Sequence, residues 1–119
     1  MATLAIHGDE LCVCLTGLEK LAAMYGGVRV PLAAVSAIAV EPNPWGALRG
    51  IRAPGTGIPG VIAYGVRRAT GGRPDFAAVH GRGPAVRVEL GPTARFERLL
   101  VTVADPAGTV AAVTRGTGA

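Results

Sequence analysis

Trp45 to Arg68 reads WGALRGIRAPGTGIPGVIAYGVRR. It holds the chain's single tryptophan, four arginines (Arg49, Arg52, Arg67 and Arg68) and its densest Gly/Pro punctuation. On either side lie short β-branched runs bounded by turn residues, which is the pattern of many short strands joined by tight turns. The stretch itself reads as an organising loop up to Gly60. A strand follows over Val61–Arg67, with Gly65 as a bulge or close-approach point.

Upstream, Thr3–His7 and Glu10–Leu15 alternate around Gly8-Asp9, a two-residue hairpin signal. Leu11, Val13 and Leu15 fall on one face, and Glu10, Cys12 and Cys14 on the other. Thr16-Gly17-Leu18-Glu19 has the capping-box spacing and predicts a short helix ended by Gly26-Gly27. Val28-Arg29-Val30 is a brief strand stopped by Pro31. Val35–Glu41 is the next, closed by Pro42-Asn43-Pro44 because proline cannot continue a central ladder.

Downstream, Thr70–Pro74 is a turn, and Asp75–His80, Ala85–Leu90 and Glu97–Val103 are three further strands. Asp105-Pro106 then opens a helix, with Asp105 as N-cap and proline at the first helical position. Ala107, Val110 and Val113 are expected on its buried face and Gly116 at its C-cap.

The 119 residues make one domain, 1–119, able to bury about 65% of its unfolded surface. Of the net charge of +4, residues 49–82 supply six arginines against one acid, Asp75, and residues 1–48 supply four acids against two bases. Such a local surplus attracts anions. The longest apolar run, Leu32–Val40, is far short of the ~20 residues that span a bilayer. The N-terminus has no basic region leading into an apolar core. Two closely spaced cysteines form no disulfide framework. The cytoplasm is the expected location, with a membrane-peripheral position as the alternative.

Four patterns resemble those of bacterial pleckstrin-homology-like (PH-like) domains of actinobacterial type. They are DELCVCLTGLEKL (Asp9–Leu21), VRVPLAAVSAIAV (Val28–Val40), RGIRAPGTGIPGVIAYG (Arg49–Gly65) and LLVTVADPAGTVAAV (Leu99–Val113). The resemblance implies a mainly β fold, a PH-like roll or partly open barrel of about seven antiparallel strands. It would have a short helix after the first hairpin and a C-terminal capping helix over residues 106–114. It also implies a non-enzymatic binding or assembly module. Relatives of this type form rings or attach to membrane proteins, and the family pattern carries no catalytic residue and no cofactor.

Gly55-Thr56-Gly57-Ile58-Pro59-Gly60 is literally G-x-G-x-x-G, but a strand rather than a helix follows it. It therefore lacks the helix N-terminus that a dinucleotide needs and reads as a structural loop. The ligand-binding candidates are Arg49, Arg52, Arg67 and Arg68, whose guanidiniums could fork onto phosphate or carboxylate, together with Trp45. The bland alternatives are a solvated rim for the arginines and a lid over an open barrel end for Trp45. His7 and His80 have no second ligand at metal spacing, and Asp75 and His80 fall on opposite faces of one strand. No metal or cofactor is expected. The expected partner is a protein or a second copy of the chain, with an anionic lipid or polyanion as the alternative. Nucleic acid is set aside for lack of stacking aromatics.

Overall fold

The computed structural model describes residues 2–17, 28–48, 51–58, 62–68 and 72–117. In chain order these form β1 (Thr3–His7), β2 (Glu10–Cys14), β3 (Val28–Pro31), a 3-10 turn (Leu32–Ala34) and β4 (Val35–Glu41). Then come α1 (Pro44–Ala47), β5 (Ile51–Ile58), β6 (Ile62–Arg68), β7 (Asp75–His80), β8 (Ala85–Leu90), β9 (Arg98–Val101) and α2 (Pro106–Thr117). Beyond Gly17 the helix expected over Thr16–Gly26 lies outside the described residues.

The first hairpin forms as its turn chemistry requires. His7 pairs with Glu10 across Gly8-Asp9, and Gly8 takes φ +64°, which glycine adopts without a Cβ penalty. β1, β2 and β3 make a three-stranded antiparallel sheet, whose inner side carries Leu4, Leu11, Val13, Val28 and Val30 into the core. The 3-10 turn then carries the chain into a six-stranded sheet of order β4-β8-β9-β7-β6-β5. One bond ties this corner to each layer, Leu32 N–H to Asp9 O (2.9 Å) and Gly91 N–H to Ala34 O (2.7 Å).

The inner side of the large sheet supplies Tyr64, Val66, Phe76, Val86, Val88, Leu99 and Val101 to the same core. Side chains of this size contribute about 1.5–3 kcal/mol each when fully buried. Phe76 meets Phe96 with centroids 5.8 Å apart and rings tilted by 60°, a favoured aromatic geometry. α2 packs on β1, β4 and β8, and so closes the gap between the two layers. Asp105 caps it, its Oδ1 accepting from Gly108 N–H (3.1 Å).

The mainly β class and the C-terminal helix stand, and three expectations are corrected. First, the described residues form nine strands in two sheets, not about seven in one roll or partly open barrel. Second, not every pair is antiparallel. β9 lies between β7 and β8 and runs parallel to β7, with Phe76 beside Leu99. Third, the stretch read as loop contains β5. A Gly/Pro-rich segment can serve there because β5 is an edge strand, where one side of the ladder goes unpaired. The register slips between Arg52 and Gly55, so Pro54 falls in the irregularity, and the bulge expected at Gly65 is on the opposite strand. Gly65 itself has φ +127°.

α2 also differs in detail. Val113 is buried and Val110 half-buried, but Ala107 is exposed, and the helix runs through Gly116 to Thr117. Gly116 is a contact point rather than a cap, since a Cβ there would run into Ile6 Cδ1.

β4 and β5 are joined in sequence yet occupy opposite edges of the large sheet. The chain between Glu41 and Ile51 therefore has to cross that sheet. It does so on the outer side, where Trp45, Ala47 and Leu48 pack on Ala63, Ala77, Val79, Ala85 and Leu100. A floor of mostly small side chains lets the strap lie close to the strands.

Candidate functional site

The strand register sorts the arginines that the sequence grouped together. Arg52 is the cross-strand partner of Arg67, Arg67 of Asp75, Asp75 of Arg98 and Arg98 of Glu89. Laterally paired residues share a face, so these five form one row on the outer side of the sheet. Arg68 pairs with Ile51, in the next row and at the opposite parity. Arg49 lies outside the described residues. Of the four arginines proposed as one cluster, two share a row.

The middle of the row is a largely buried ion pair. Arg98 Nη2 lies 3.4 Å from Asp75 Oδ2, with the two side chains 15% and 8% exposed. Arg98 also donates to Ala47 O, joining the strap to the sheet. Nothing in the sequence marked Arg98, because its partners are 23 and 51 positions away. At the row's open end Arg52 is the register partner of Arg67.

Arg73 has a different task. Its guanidinium donates to four carbonyls, those of Leu90, Gly91, Ala94 and Phe96, at 2.7–3.1 Å. It thereby shapes the connection that returns β9 between β7 and β8. Arg82 is exposed in the turn before β8. Arg87 pairs with Glu41 at 2.7 Å, while its Nε is buried without a partner.

Trp45 is half-buried, and its Nε1–H donates to Gly81 O at 2.7 Å. Its ring belongs to the packing under the strap, on the outer face of the sheet. The lid expected over a barrel end is thus a lid over a sheet face. Asp75 and His80 occupy opposite faces of β7, Asp75 paired with Arg98 and His80 exposed. Cys12 is buried and Cys14 exposed, both free thiols, and burial pushes the Cys12 thiol up from its ordinary range. Among the described residues no three His, Cys, Asp or Glu groups converge to hold a metal, and no helix is long and apolar enough to cross a membrane.

The two edges of the large sheet differ. β5 carries Pro54, a register slip and Arg52, devices that discourage edge pairing. β4 reads VSAIAVE, with one charge, Glu41, that is held by Arg87. Val40 is 38% exposed, the one exposed large hydrophobic side chain among the described residues. Beside the first half of β4 is a groove of about 220 Å³, lined by Val35, Ser36, Ala37, Ile38, Thr114 and Thr117.

Comparison with family models, curated proteins and solved structures finds no match to this chain.

Proposed function

We propose that this chain is a non-enzymatic, PH-like binding or assembly module that docks on a protein surface along β4. A second copy of the chain is the partner to test first. One observation carries the reading. Both edges of the large sheet carry a register slip, between Val35 and Ala37 in β4 and between Arg52 and Gly55 in β5, but β5 also holds proline and arginine, whereas β4 is apolar, nearly uncharged and bordered by a groove. Unprotected edge strands are templates for another chain. The polar groups of the outer face support it further, since Arg98, Asp75, Arg87 and Glu41 serve one another and the strap. A cytoplasmic site of action goes with this reading. Light scattering of the wild-type chain and of Ala37→Lys is the test.

The register pair Arg52–Arg67 favours a second reading, an anionic ligand or membrane surface bound at the β5–β6 end of the row. Two guanidiniums can share a phosphate. Co-sedimentation with anionic phospholipid vesicles should then fall steeply as salt rises, because screening acts within about 8–10 Å in physiological buffer. Arg52→Glu should bind about tenfold more weakly, each basic residue near such a surface contributing ~1 kcal/mol. Arg115→Glu, on the exposed side of α2, is the control and should bind nearly as wild type. Equal or salt-insensitive binding by all three would remove this reading.

A further inference from the structure

The outer face of the large sheet carries a segment bound to it by few and local means. Within Pro44–Leu48 only Pro44 is buried; Trp45, Ala47 and Leu48 are half-buried and Gly46 is exposed. None of these side chains belongs to the main core between the two sheets. They pack instead with a separate small cluster, Ala63, Ala77, Val79, Ala85 and Leu100. Two hydrogen bonds join the strap to the strands and their turns, Trp45 Nε1–H to Gly81 O at 2.7 Å and Arg98 Nη2 to Ala47 O.

The strap's own bonds are internal. Asn43 Oδ1 accepts from Gly46 N–H at 3.2 Å, and Leu48 N–H donates to Pro44 O at 3.1 Å. A Cβ on Gly46 would come within 2.6 Å of Asn43 Nδ2, so this turn is built around a glycine. These contacts travel with the segment when it lifts, and what is lost is the two bonds, the small cluster and the burial of Pro44. Few buried apolar contacts and exposed local bonding are the marks of a unit that opens below the global unfolding free energy.

The connection between β4 and β5 has little length to spare. Six strands at a spacing of about 4.8 Å put β4 and β5 ~24 Å apart, before any offset along the strands. Ten steps separate Glu41 from Ile51, three of them inside α1. With about 1.5 Å for each helical step and ~3.4 Å for each of the rest, the reach is roughly 28 Å.

We infer that Pro44–Leu48 is a separately opening strap, latched by Trp45 and Arg98, that gates the outer face of the large sheet. Opening bares the Ala63–Ala77–Val79–Ala85–Leu100 cluster and releases Arg98 from Ala47, while the two-sheet core stays folded. Strap opening is a separate event from docking along the β4 edge, so the failure of either leaves the other standing.

Trp45 is the sole tryptophan, so its emission reports the strap while far-UV circular dichroism reports the sheets. The test is an equilibrium guanidinium titration of the full chain, both signals read on the same samples, for wild type and Leu48→Ala. Two-state unfolding makes such probes coincide. The expected result is that Trp45 emission shifts to the red at a lower denaturant concentration than the loss of ellipticity. Leu48→Ala should raise the open population about tenfold, as befits truncating a half-buried leucine, and leave the dichroism midpoint in place. Coincident transitions in wild type would overturn the strap as a separate unit, as would a Leu48→Ala variant in which both probes shift together.

Discussion

A chain ending at Ala104 is expected to lose its cooperative melt and to bind a hydrophobic dye. The sequence places Asp105-Pro106 at the start of a helix, and the structure gives that helix the task of closing the gap between β1 and β4. Removing it takes away the fully buried Val113 and the partly buried Val110, at up to about 1.5–3 kcal/mol each. It also uncovers Ile6, which Gly116 approaches closely, and the inner side of β4. Domains of this size are stable by about 5–15 kcal/mol in total, so the loss is a large fraction of the whole. Thermal unfolding followed by circular dichroism checks it. A truncated chain that melts as sharply and as high as the full one would show that α2 does not close the core.

The second large effect belongs to the ion pair beneath the strap. Arg98→Met should lower stability by about 3–5 kcal/mol, because it leaves the Asp75 carboxylate buried without the cation facing it. The double variant Arg98→Met with Asp75→Asn should recover at least half of that loss, since a neutral pair has no buried charge to compensate. Urea denaturation of the wild type, both single variants and the double variant completes the cycle. If the single-variant losses simply add, the two groups do not act as a pair. Arg98→Met also removes a strap latch, so Trp45 emission should shift to the red in native buffer.

How much of this could be read from residues alone follows the range of the interactions. Gly8-Asp9 announces its hairpin because the signal is local, and β7 and β8 begin and end where their alternating runs do. Asp105-Pro106 is equally local and marks the start of α2 correctly. β5 was hidden because glycine and proline weaken a central strand, and composition cannot say that this strand is an edge with its slip at Pro54. The insertion of β9 beside β7 rests on Arg73 reaching carbonyls up to 23 residues away, a contact with no periodic trace.

The candidate site shows the same division. A charge count found the surplus between Arg49 and Arg82, but strand parity decides which arginines meet. That parity joins Arg52 to Arg67 and places Arg68 in another row. Trp45 was legible as a lid from its position after proline. Its floor was not, because those five residues come from four strands.

The central proposal is association along β4, and the mass of the chain in solution tests it most directly. Light scattering should be recorded across about two decades of concentration, since association makes the mass concentration-dependent. The wild-type mass is expected to rise above the 12.0 kDa of one chain toward that of a dimer. Ala37→Lys puts a charge on the exposed edge beside the groove, as natural edge strands do, and should hold the mass at that of one chain. A wild-type mass that stays at 12.0 kDa throughout, indistinguishable from Ala37→Lys, would contradict the proposal.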